Sequence, residues 1–172
     1  MFCAMDAAPS AGSAAPATGI RWQWSRFADL APAELYAALA ARQQVFTVEQ
    51  RCAFQDADGH DVHAWHLFAW REVSGAPFLA GYLRVLDPGR KFAEPSIGRV
   101  LTVAPYRGIG FGQTLMVEGI ARTHRSWPQR PICIAAQQRL DRFYANFGFR
   151  PAGAPYLEDD ILHVDMLLPA SA

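Results

Sequence analysis

The residues of this chain best suited to chemistry are Arg107-Gly108-Ile109-Gly110-Phe111-Gly112, followed by Gln113 and Thr114. A glycine-rich turn that opens a helix gathers bare backbone amides and the positive helix end at one point, which is a place for phosphate. A dinucleotide pattern, G-x-G-x-x-G, does not fit, because Gln113 stands where the third glycine is needed. A nucleoside-triphosphate loop, G-x-x-x-x-G-K-[ST], fails as well: counted from Gly108 it meets Gln113 and then Thr114, with no lysine. The spacing leaves two readings, a phosphate cradle headed by Arg107 or a glycine turn with no ligand.

The elements around the turn are legible. Ile97 to Val103 is apolar and rich in β-branched residues, a buried strand, and Leu115, Met116, Ile120 and Ala121 recur beyond it at helical spacing. Ahead of these, Ile20 to Phe27 alternates as a strand, and Pro32 opens a helix running towards Glu49. An Asp-rich loop covers Gln50 to Asp61. Val62 to Glu72 and Phe78 to Leu86 predict two strands joined at Ser74-Gly75, with a loop from Asp87 to Glu94. After the central helix come a short strand over Pro131 to Ala136 and a helix over Arg139 to Phe147 that Gly148 stops. A loop of Pro, Gly and acidic residues leads to a last strand, His163 to Leu168. This order predicts an α/β fold with a mixed sheet.

Tyr144 lies on a helical stripe with Leu140, Phe143 and Phe147, so periodicity alone reads it as core rather than as proton donor. The segment Phe143 to Phe149, however, carries Y-x-x-x-G-F, and with Arg107-x-x-Gly110-x-Gly112 it resembles the GNAT N-acetyltransferase superfamily. The resemblance extends to the ElaA-like subgroup through Arg42 to Gln50, Gln55 to Asp61 and Pro155 to Asp159, spanning residues 20 to 169. It implies a mostly antiparallel mixed sheet with helices on both faces. It also implies direct transfer of an acetyl group from acetyl-coenzyme A to a primary amine within a ternary complex.

In that family Gly108, Ile109, Gly110, Phe111 and Gly112, with Gln113 and Thr114, would grip the cofactor pyrophosphate, Arg107 adding a charge-assisted contact. Leu101, Thr102 and Val103 would pair with the pantetheine arm. Tyr144 would protonate the leaving thiolate, since a phenol with an ordinary pKa near ~10 keeps its proton at neutral pH. The acceptor ammonium must lose a proton before it can attack. Glu49, His63 and the Asp cluster are the candidate bases, with Glu49 carried forward as the second catalytic residue. A non-catalytic acyl-coenzyme A-binding module is the alternative.

The remaining polar clusters narrow the field. Asp56, Asp58 and Asp61 resemble a calcium loop, yet positions five and six hold His60 and Asp61 where an oxygen ligand and glycine are required. His60, His63 and His66 are three apart, and a strand through the last two turns them to opposite faces, so no metal is expected. Turn formation, or attraction of a cationic amine, is the expectation for this loop. Cys52 could carry an acyl group, but direct transfer needs no such nucleophile.

At 172 residues, 51% of them hydrophobic and 19% charged, the chain fits one globular domain. Lys plus Arg is 16 and Asp plus Glu is 16, which points away from nucleic acid as a partner. Cys3, Cys52 and Cys133 have no paired spacing, consistent with a reducing, cytoplasmic setting. Residues 1 to 19, rich in Ala, Pro, Ser and Gly, read as a flexible leader without the pattern of a secretory signal. No segment has the length of a membrane helix. The acceptor is expected to be a small-molecule or peptide amine. The oligomeric state, including a homodimer, is open.

Overall fold

The computed structural model describes residues 19–170; the leader and Cys3 lie outside the described residues, apart from Gly19. Eight strands form one sheet in the order β1-β2-β3-β4-β5-β8-β6, with β7 pairing β8. The first four are β1 (Arg21–Arg26), β2 (Ala64–Val73), β3 (Ala76–Leu86) and β4 (Ser96–Thr102). β5 (Ile132–Gln137), β6 (Arg150–Pro151), β7 (Tyr156–Glu158) and β8 (Ile161–Leu168) follow. All neighbours are antiparallel except β4 and β5. The two short strands β6 and β7 lie in what reads from sequence as loop, because only pairing with β8 makes them extended.

Three helices clothe this sheet: α1 (Pro32–Arg42), α2 (Phe111–Ser126) and α3 (Asp141–Ala145). Pro32 presets the first turn of α1, and the Glu34 carboxylate accepts the Ala31 N–H at 2.9 Å. The helix then widens over Gln43–Glu49, where Gln50 N–H reaches back five residues to the Val45 carbonyl. On α2 the buried stripe is Phe111, Leu115, Met116, Gly119 and Thr123, while Ala121, expected inside, is exposed. Gly119 is the reason: a Cβ there would come within 2.5 Å of Leu83 Cδ2, so the helix lies directly on β3. Two cores result. One joins α2 and α3 to the sheet through Leu115, Ile134, Phe149 and Met166; the other seats α1 through Ala38, Val45, Phe68 and Tyr82.

Two irregularities position the site. The β3–β4 register shifts between Tyr82 and Arg84, and opposite it Arg99 takes φ +52°, a left-handed conformation costly for an arginine. β4 and β5 then meet at a single pair, Ser96 with Cys133, and diverge. The sheet is therefore split along its only parallel junction.

Candidate active site

The split exposes backbone that no strand covers. Val103 N–H donates to the Ala80 carbonyl at 3.1 Å, towards β3, so by strand alternation the polar groups of Thr102 turn the other way, into the split. Thr102 carbonyl accepts from Arg107 Nε there at 2.8 Å. Leu101, by contrast, pairs with Tyr82 of β3 and its side chain is core. Of the three residues expected to meet the cofactor arm, Thr102 offers its backbone to the split, while Leu101 and Val103 serve β3.

Below Thr102 lies the glycine turn. Gly108 and Gly110 have φ +73° and +81°, conformations that glycine adopts freely, and Gly110 is the residue from which α2 starts. No side chain caps that end, so the N–H groups of Phe111 and Gly112 have no partner within the helix. A Cβ on Gly108 would meet nothing within 4 Å, and one on Gly110 only Gln113 Oε1 at 3.9 Å. The space above the turn is open backbone. It forms a hollow of about 330 Å³ that Thr102, Arg107, Gly112, Gln113 and Phe143 share. These residues fit a pyrophosphate: free amides, a helix N-terminus and an arginine converge on one exposed concavity. Ile109 is partly exposed on the turn, and Thr114 N–H bonds Gly110 carbonyl.

A larger cleft of about 520 Å³ is lined from both diverging strands, by Val100 of β4 and Ile134 and Gln137 of β5 among others. Tyr144 reaches it from α3, its side chain buried and its hydroxyl without a hydrogen-bond partner among the described residues. Burial pushes the Tyr144 phenol up to about 12. The short α3 puts Tyr144 at the divergence because β5 ends at Gln137 and the chain turns at once into the helix, which Gly148 stops at φ +93°. His163 lines the same cleft from β8, opposite Gln137, whose amide donates to Gln50 Oε1 at 3.1 Å. Sequence reading assigned His163 no role; the alternation of β8, with Val164 and Met166 inward and His163 on the opposite face, is the signal that separates it from core.

Glu49 sits elsewhere. It does not line the cleft that holds Tyr144; its carboxylate grips Arg107 at 2.7 Å, with both side chains partly exposed. His63, the other candidate base, is exposed, and its carbonyl accepts from Arg26.

For the acidic loop the two expectations are turn formation and attraction of a cationic amine, and within it the His60 N–H donates to Asp58 Oδ1 at 3.1 Å. Instead of facing a cationic substrate, its carboxylates are held by arginines of the chain itself. Arg42, fully buried at the end of α1, donates to Asp56 Oδ2 at 2.7 Å and Asp61 Oδ1 at 2.6 Å. Arg84 from β3 clasps Asp58 at 2.7 and 2.6 Å and also reaches Asp61, while Arg99 bonds Asp56 and Asp58. Burial alone would raise the Asp58 and Asp61 carboxyls, but the hydrogen bonds and charges of Arg84 and Arg42 hold both below the usual carboxylate range. Asp61 also offers its carbonyl to His66 Nε2 at 3.1 Å, and His66 Nδ1 pairs with the Tyr82 hydroxyl. Burial holds the His66 imidazole below its ordinary range, that is, neutral. Among the described residues no group of three or more His, Cys, Asp or Glu is placed to hold a metal ion. Cys133 is buried and its thiol is pushed up to about 12 by burial, far from a reactive thiolate; half-buried Cys52 sits against the Asp159 carbonyl. No helix among the described residues is long and apolar enough to cross a membrane.

Comparison with known proteins adds to this geometry. Residues 65–169 match the family model for an acetyltransferase (GNAT) domain. Protein ElaA of Escherichia coli is 36% identical over 149 residues, which cover 86% of this chain and 95% of ElaA. The crystal structure of that protein superposes with a TM-score of 0.77 over 86% of this chain and 98% of its own. A solved acyl-CoA N-acyltransferase from Pseudomonas aeruginosa is 40% identical, with a TM-score of 0.80 over 87% of this chain and 99% of that one.

Proposed function

With the chain belonging to the GNAT acetyltransferase family, we propose that it moves an acetyl group from acetyl-coenzyme A directly to a primary amine, both bound together. The observation that carries this reading is the junction of two features near one split: an open glycine cradle and a cleft lined by Tyr144, whose hydroxyl has no hydrogen-bond partner among the described residues. Amides of Gly108 to Gly112, the first turn through Gln113 and Thr114, and Arg107 hold the pyrophosphate. Thr102 presents backbone to the arm, with Leu101 and Val103 fixing that strand to β3. Bound there, the cofactor supplies an activated acyl carbon at the split. Tyr144, whose phenol keeps its proton at neutral pH and is raised further by burial, gives that proton to the sulfur as the carbon–sulfur bond breaks. Glu49 acts through Arg107, holding the guanidinium across the mouth of the cradle until a phosphate takes its place. The acceptor is a small-molecule or peptide amine, and a reducing, cytoplasmic setting suits the free Cys52 and Cys133.

Thiol release from acetyl-coenzyme A tests the reading, with a panel of primary amines that includes basic alkylamines and weakly basic alkoxyamines. Release with at least one amine is expected, and Tyr144→Phe should lower its rate by about 10²–10⁴-fold while coenzyme A still stabilises the protein thermally. Thermal stabilisation with no release on any amine would make the chain a binding module instead.

A further inference from the structure

We infer that His163 is the general base that takes the proton from the acceptor ammonium; the inference rests on the acetyl-transfer reading above. Two requirements define such a base: a free lone pair on a side chain that lines the cleft, and a place on the sheet face opposite the acid. His163 meets both. Its Nδ1 lies 2.9 Å from the Ile161 carbonyl, and a carbonyl only accepts, so Nδ1 carries the hydrogen and Nε2 keeps the lone pair of the neutral ring. The ring is fixed in that orientation. It stacks on Tyr156 with planes 27° apart and centroids 6.2 Å apart, and Tyr156 is itself pinned by its hydroxyl to Asp165 at 2.8 Å.

The topology supplies the opposition. Ile134 and Ala136 of β5 pair with Met166 and Val164 of β8 in the core that also holds Tyr144, so that face of the sheet belongs to the acid. Gln137 and His163 pair one residue out of phase and therefore project from the other face. Both faces drain into one cleft only because β4 and β5 diverge. An amine entering over His163 meets the acyl carbon with Tyr144 behind it.

Three nearby carboxylates are engaged by cations, whereas the Asp159 carboxylate lines the cleft from the loop before β8 with no side-chain hydrogen bond among the described residues. Asp58 is clasped by Arg84, Glu158 accepts from Lys91 at 3.3 Å, and Glu49 holds Arg107 outside the cleft. His60 borders the cleft from a loop, where its backbone N–H bonds Asp58 and its ring makes no hydrogen bond among the described residues. The proton balance closes. One ammonium proton passes to His163 Nε2, the freed lone pair forms the carbon–nitrogen bond, and Tyr144 gives its proton to the departing sulfur. The second nitrogen proton returns through water to the Tyr144 oxygen, and His163 releases its own to solvent.

His163→Asn keeps a donor for the Ile161 carbonyl and removes Nε2. On alkylamines, charged at neutral pH, it should lower kcat by about 10²–10⁴-fold. On alkoxyamines, which are free bases at that pH, the loss should be far smaller, with thermal stabilisation by coenzyme A unchanged. Equal losses on both amine classes, or no loss on alkylamines, would overturn the assignment while leaving acetyl transfer intact; a wild-type protein that releases no thiol would take the parent reading down with it. Independently of activity, long-range ¹H–¹⁵N spectra of the cofactor-free protein at pH 8 should show the His163 hydrogen on Nδ1. A hydrogen on Nε2 would refute the proposal.

Discussion

Two sets of charges flank the split, and they differ in burial and therefore in use. Around the Asp-rich loop, Arg42, Arg84 and Arg99 interlock with Asp56, Asp58 and Asp61, and Arg42 has no exposed surface at all. At the glycine cradle, Glu49 and Arg107 form one pair whose side chains are 31% and 41% exposed. Charges withdrawn from water are costly unless every partner is present, so the first set has one arrangement and cannot exchange it for a ligand. Charges in solvent gain little from each other and give way to a phosphate readily. The buried set shapes the site, pinning the loop to α1, β3 and the β4 bulge; the exposed set is free to bind.

That contrast is open to measurement. Arg42→Met should cost about 3–5 kcal/mol in denaturant unfolding, because two carboxylates would be left buried without their cation; a loss below about 1 kcal/mol would show that the loop can relax into water. Acid probes the same network. Asp58 and Asp61 are held below their unfolded values, so their contribution is complete above about pH 4 and disappears as pH falls towards the folded values. Unfolding monitored against pH should therefore show a steep acid limb beginning near pH 4. In Asp58→Asn that limb should be shallower.

At the cradle the effects are smaller and fall on binding. Gly110→Val forces a β-branched residue to φ +81° and should weaken coenzyme A by about tenfold in a thermal-shift titration. Unchanged affinity would remove the turn from the cofactor site. Glu49→Gln should leave stability within about 1 kcal/mol and tighten coenzyme A by no more than about fivefold, since Arg107 no longer has a partner to leave. Weaker binding in that variant would make Glu49 a support for Arg107 rather than its competitor.

Much of this molecule is local, and local features are what a sequence displays. The left-handed Gly108, Gly110 and Gly148, the proline start of α1 and the period of α2 each follow from one residue's conformational preferences or from spacing along one element. With the Tyr144 motif they sufficed to mark the mixed sheet and the family. What stayed hidden depends on residues far apart in the chain. Glu49 read as a free carboxylate because its partner lies 58 positions on, and the acidic loop read as either a turn or a lure for cations because its arginines come from α1, β3 and β4. Arg99 in a left-handed conformation, the bulge it makes and the divergence of β4 from β5 follow from strand register, which no single segment specifies. The sequence by itself determined the glycine turn that opens α2 and the place of Tyr144 on its helix. Only the tertiary structure decided which charges are bound and which are free, and brought His163 and Tyr144 to the lining of one cleft, because pairing between distant strands, not local propensity, opens that gap.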